Sequence, residues 1–191
     1  MDRTGFARLA RRLGAAGAAI GCGLPVAGCG VFSSGITIAS PSVMTVSSGA
    51  FEQSTLPQRY TCAGPRSPGP LNPPLNWAGA PPGTKSIALV FDDSSAPITP
   101  YVYWIVFDIK PATSDILEGR LPPGAREAQN SAGRAAYDPP CPGPDGHTYR
   151  FTVYALNSVL NLPTGTSLQS AWMAIAAATI GRGRIPVNAT S

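Results

Sequence analysis

His147 is the only histidine of the 191-residue chain, so any imidazole chemistry has to happen there. It stands where two unlike halves of the stretch Tyr137–Leu156, YDPPCPGPDGHTYRFTVYAL, meet. The first half is a loop whose prolines fix φ and remove amide donors. The second half alternates: His147, Tyr149, Phe151, Val153 and Ala155 share one face of a strand, with Thr148, Arg150, Thr152 and Tyr154 on the other. A short-loop mouth above a packed sheet is a common way to make a small-ligand pocket. The same pattern also fits a strand that merely begins with a histidine. Hydrolytic chemistry would need a nucleophile, a base and an orienting group. The chain offers no GxSxG elbow and no paired carboxylates in an acid–base setting. Cys62, Cys141 and His147 are too few, and unsuitably spaced, for a structural zinc site. No catalytic residue, metal or cofactor is therefore expected, and the chain reads as a non-enzyme.

The elements available to hold His147 are mostly strands. With 43% hydrophobic and only 13% charged residues, and with Gly 21 and Pro 21, the composition favours short strands joined by rigid turns. Ser86–Phe91 reads as a strand running into Asp92 and Asp93, where Asp92 is expected to cap the strand end in an Asx turn. Tyr101–Ile109, YVYWIVFDI, is almost continuously apolar and predicts a strand buried on both faces. The Pro-rich segment before Trp77 reads as a rigid loop and edge, with Trp77 in the core. Residues 110–140 read as mostly loop. A helix is predicted over Leu168–Thr179, with Thr166 or Ser167 as N-cap and Gly181 as the stop. The tail after Gly181 fits either a short strand or a loose end.

Charge is concentrated at the start of the chain. Arg3, Arg8, Arg11 and Arg12 against Asp2 carry +3 of the formal +4, which leaves +1 for everything after residue 28. No basic stripe interleaved with aromatics remains, and nucleic-acid binding is excluded. Residues 1–28 read as an export signal, whose apolar segment is too short to be a stable membrane span. It ends in Val26-Ala27-Gly28-Cys29, which resembles the lipobox of bacterial lipoproteins. There the Cys29 thiol would take a diacylglyceryl group, and cleavage before it would free an amine for further acylation. Two or three acyl chains, at ~0.8 kcal/mol per buried CH₂, make a durable anchor on the extracytoplasmic face of the cell membrane. The plainer alternative is an ordinary signal peptide with an unrelated cysteine. Residues 29–50 read as a flexible tether with room for a strand near Ile36–Val46, and the globular domain as 51–191. Cys22 leaves with the signal, so Cys62 and Cys141 remain, an even number in an oxidising compartment. They are either a bridge between two loops or two separate thiols.

Several stretches together resemble the phosphatidylethanolamine-binding protein family in its bacterial branch. GHTYRFTVYAL after a YxxPCP loop resembles the family's last signature, with His147 and Tyr149 in matching places and Thr148 where arginine is usual. Pro139-Pro140-Cys141 resembles its GPC loop with the glycine lost. APPGTKSIALV and DDSSAP resemble the segment that ends in DPDAP, so that Asp93 takes the first aspartate position and Ser95 replaces the second. YVYWIVFDI resembles the family's WxHWVVxNI strand, with Trp104 matching and Tyr103 in place of the histidine. LPPGAREAQNSAG also matches, while Tyr60, Cys62, Gly64 and Pro73–Trp77 match loosely. The resemblance spans about Phe51 to Gly181 and implies a mainly antiparallel two-sheet β fold with a C-terminal helix beside one small pocket. It implies a pocket of Asp93, Ser95, Tyr103, Pro140, His147 and Tyr149 that accepts a small polar or anionic group such as a phospholipid headgroup. With one Asp, one His and one Arg replaced, that pocket would hold an anion more weakly than in relatives. Some members act instead as protease or signalling inhibitors. That alternative makes the chain a protein-interaction module with a vestigial pocket, working through loops around Arg120–Arg134.

Overall fold

The alternation around His147 is realised as an inner strand of a six-stranded sheet. The protein is seen here in a computed structural model that describes residues 40–65, 67, 69–96 and 99–189. In chain order the elements are β1 (Ser42–Val43), β2 (Thr45–Ser47), β3 (Leu75–Ala78), β4 (Ser86–Asp93) and β5 (Val102–Ile109). They continue with β6 (Asp115–Ile116), β7 (Arg126–Glu127), β8 (His147–Leu156), α1 (Leu168–Ala178) and β9 (Thr179–Ala189). The larger sheet runs β1-β9-β8-β4-β5-β7, and a three-stranded sheet runs β2-β3-β6. All pairings are antiparallel except β1 with β9. The fold is thus mainly β, two-sheeted, with one C-terminal helix.

The period-2 pattern of β8 sorts the core into two halves, because each face of the large sheet is covered by something different. Phe91, Tyr149, Phe151 and Val153 pack with Met44, Leu75 and Trp77 beneath the small sheet. Val90, Val102, Ile105 and Phe107 pack with Ala171 and Ile175 of α1 on the opposite face. Phe91 and Phe151 are register partners on β4 and β8, and their rings stack at 4.0 Å. Tyr137 stacks on Phe91 at 5.7 Å, with Tyr103 at 5.3 Å and Tyr149 at 5.9 Å from the same ring. Ser167 caps α1 by accepting from the Ser170 amide at 3.2 Å.

Two boundaries differ from the sequence reading. Packing begins before residue 51: β1 and β2 belong to the sheets, and Met44 is 3% exposed. The helix is not stopped by Gly181. Thr179 hands the chain directly from α1 into β9, an 11-residue strand between β1 and β8. Gly181 and Gly183 serve close packing there: a Cβ would meet Pro81 Cδ at 2.7 Å at the first and the Met44 carbonyl oxygen at 2.5 Å at the second. The signal segment 1–28 and Cys29 lie outside the described residues. No described helix is long and apolar enough to cross a membrane.

Candidate functional site

Antiparallel pairing of β4 with β8 brings the end of one strand to the beginning of the other. Asp93 is the register partner of Tyr149, and His147 precedes Tyr149 on the same face. Asp93 Oδ2 lies 2.8 Å from His147 Nδ1. The carboxylate is the sheltered partner, with its side chain 5% exposed against 41% for the imidazole. Asp93 Oδ1 accepts from the Ser95 amide at 2.7 Å, and the Ser95 hydroxyl accepts from the Thr148 amide at 2.9 Å. The loop after β4 is thus fastened across to β8, and the Asx turn is made by Asp93. Asp92 does not make it, contrary to the sequence reading. The alternation sends Asp92 to the other face, where it is 2% exposed and forms a bidentate pair with Arg150. A carboxylate that deep would be costly without the guanidinium fork.

Aromatic rings continue the site away from His147. The imidazole stacks on Tyr149 at 5.9 Å, Tyr149 meets Tyr103 edge-on at 5.6 Å, and Tyr101 lies 4.6 Å from Tyr103. Tyr103 is held from behind by a residue the sequence reading left without a role. Asn130, 3% exposed, donates to the Tyr103 and Ala136 carbonyls and accepts from the Ala132 and Arg134 amides. The Tyr101 hydroxyl donates to Asp138, which also pairs with Arg134. Pro140 enters by a different route. Cys62 and Cys141 are joined as a disulfide, and the Pro140 carbonyl accepts from the Cys62 amide at 2.9 Å. Next to them the Tyr137 hydroxyl donates to the Tyr60 carbonyl at 2.7 Å. Asp93, Ser95, Tyr103, His147 and Tyr149 therefore form one connected group, and Pro140 is fixed through the loop clamp.

Chemically, the group presents one titratable ring backed by a carboxylate and flanked by phenols. A neutral His147 that donates from Nδ1 to Asp93 leaves Nε2 as an acceptor; a protonated ring donates from both nitrogens. The phenols stay protonated at neutral pH. Burial first, then the charge of Asp93, pushes Tyr149 up to about 12, against a hydrogen bond from Tyr103 that works the other way. Burial also raises Tyr103, helped by the charges around Tyr149 and Asp93. Tyr60, shielded from water and bonded to Glu118, is pushed up to about 12, and Tyr101, Tyr137 and Tyr154 are raised chiefly by burial. These are all 6 tyrosines of the chain. A phenol that holds its proton more tightly when folded favours the native state below its unfolded pKa of about 10, and this contribution is lost as pH rises further. We expect the native 295 nm absorbance to stay low near that pH and to rise together with unfolding. Ionisation of several tyrosines in the still-folded protein would refute the burial argument. Among the described residues no three His, Cys, Asp or Glu side chains gather to hold a metal ion.

Comparison with known proteins comes to the same fold from a different direction. A family model described as phosphatidylethanolamine-binding protein matches residues 46–190. A UPF0098 protein of Methanothermobacter thermautotrophicus is 35% identical over 139 residues, covering 70% of this chain and 89% of its own. A Mycobacterium tuberculosis protein named "Putative lipoprotein LppC" is 38% identical over 152 residues, covering 78% and 70%. Among solved structures, a phosphatidylethanolamine-binding protein homolog of Chlamydia trachomatis superposes with a TM-score of 0.67 at 30% identity, over 77% of this chain and 97% of that one.

Proposed function

Because this chain belongs to the phosphatidylethanolamine-binding protein family, we propose that it is a non-enzymatic binding protein that takes a small polar or anionic group at His147. A phospholipid headgroup is the natural candidate, given the binding partner in the family's name. The observation that carries the reading is the pairing of an accessible imidazole with a sheltered carboxylate, at 2.8 Å and with 41% against 5% side-chain exposure. Asp93 engages Nδ1 and so fixes the ring's orientation, which leaves Nε2 to meet the ligand. Protonated Tyr103 and Tyr149 supply neutral hydrogen-bonding capacity beside it. The lipobox-like Val26–Cys29 supports attachment of the mature chain to the extracytoplasmic face of the cell membrane, as does the lipoprotein name of one relative.

The test is a titration of the protein with inorganic phosphate, phosphoethanolamine and acetate, read on the His147 ring resonances. Phosphate and phosphoethanolamine should give saturable shifts. His147→Gln should weaken binding about tenfold or more, from the ~1.5–3 kcal/mol of a hydrogen bond to a charged group. The substituted position is half open to solvent, so the fold should tolerate the change. Absence of any saturable shift in the unmutated protein would refute the reading.

One observation favours a second reading, in which the chain acts as a protein-binding inhibitor. A cleft of about 310 Å³ lined by Ile116, Leu117, Arg120 and Leu121 opens at the start of the Arg120–Arg134 region, with Leu117 54% and Leu121 41% exposed. Substituting Leu117 and Leu121 together should then abolish inhibition of the partner while leaving the His147 titration intact.

A further inference from the structure

α1 is an unusual helix for a protein surface. Its sequence, LQSAWMAIAAA, contains no charged residue. Ala171, Ile175 and Ala178 turn into the core with Leu168 packed beside them, while Gln169, Trp172, Met173, Ala176 and Ala177 face outward. A helix on a water-facing surface ordinarily carries charge on its outer side. Here Trp172 is 39% and Met173 63% exposed, on a ridge flanked by grooves of about 380 and 280 Å³. Val43, 88% exposed, lies on the same side, since it is the register partner of Arg182, which lines the larger groove with Trp172 and Tyr154.

Three further features say what covers this face. The first is charge: exposed Arg182 and Arg184 stand beside it on β9, and α1 itself contributes no acidic side chain. Aromatic and apolar side chains bordered by arginines suit the headgroup and upper acyl region of an anionic bilayer. The second is where the tether arrives. Pro41 lines the same groove as Trp172, so the chain coming from Cys29 enters the folded unit at the edge of this face. The third is reach. Only the eleven residues 30–40 separate Cys29 from Pro41, too short a stretch for the face to stray far from the anchor. Weak apolar contacts gain from that enforced proximity. We propose that the outer face of α1, with Val43, Arg182 and Arg184, docks on the surface of the membrane to which the chain is anchored. The inference rests on the lipid-anchor part of the proposed function. His147 belongs to the opposite face of the large sheet, so docking through α1 leaves the binding site open to the aqueous side.

The chain's 3 tryptophans make the test direct, because Trp77 is 5% and Trp104 1% exposed and only Trp172 can meet lipid. The full lipidated chain is reconstituted in phosphatidylglycerol–phosphatidylcholine vesicles whose acyl chains carry bromine, a short-range fluorescence quencher. Flotation of the vesicles reads the anchor, and quenching of Trp172 reads the docking. The expected result is flotation with quenching that Trp172→Phe removes, and that Met173→Glu removes while flotation persists. Flotation without quenching overturns the docking and leaves the anchor standing. If Trp172 is then also shielded from a soluble quencher, a protein surface, such as a second copy of the chain, covers the helix in place of lipid. A chain that does not float lacks the anchor, which overturns that reading and the docking built on it.

Discussion

Phe91→Ala is expected to remove about 3–5 kcal/mol of stability, the range for deleting a large aromatic from a packed core. Phe91 is fully buried, stacks on Phe151 at 4.0 Å, and has Tyr103, Tyr137 and Tyr149 around it within 6 Å. Neighbouring backbone is held by two strand pairings, so the vacated volume cannot collapse freely and the cavity term should be near its maximum. The consequence reaches the site, because the same ring supports both phenols that flank His147. Denaturant unfolding gives the stability change, and the His147 resonances report whether the ring keeps one environment. Phe91→Leu, which retains most of the volume, should cost distinctly less. A loss below about 1.5 kcal/mol for the alanine variant would show that the aromatic cluster is not the centre of the core.

Removing the Cys62–Cys141 bridge, by Cys→Ser at both positions, should cost about 4 kcal/mol through the freedom regained by the unfolded chain. The two cysteines are 79 residues apart, so the closed loop takes in β3 to β7. For a domain of this size that corresponds to a fall in Tm of about 8–16 °C. Oxidised and reduced wild-type protein should differ by a similar amount, which separates loss of the bridge from any effect of serine. The change should also loosen Pro140, whose carbonyl accepts from Cys62, and with it the loop that leads into His147. Equal melting temperatures for the oxidised protein, the reduced protein and the double variant would contradict the entropic argument.

What could be read from the sequence was whatever leaves a local period. β8 alternates because the small sheet covers one face and α1 the other, and β5 is continuously apolar because both its faces are covered. α1 announced itself through Ser167 at its start. β9 did not, since its buried positions include Gly181, Gly183 and Ala189, and it carries Pro186. Those glycines are there because Pro81 and the Met44 backbone press against the strand, and a residue chosen for a neighbour's approach leaves no hydrophobic signal. The same reason hid Asp92. Its partner Arg150 is 58 residues away, and which carboxylate turns toward the guanidinium depends on strand register, which no window of neighbouring residues records. Asn130 was legible only as part of a matching segment, because its role is to bind carbonyls of two separate stretches. Asp93 and His147 came together on paper only through family resemblance, and the β4–β8 register supplies the physical reason.

The place of β9 has a kinetic consequence. An inner strand of the large sheet is supplied by the last described residues, 179–189, and it alone joins β1 to β8. A growing polypeptide cannot complete this sheet until β9 has emerged, so the pairings of β8 and β1 with it must wait for the last of the described strands. Deleting residues 179–189 should strand β8 with an open edge, a state prone to association rather than to a slightly weaker fold.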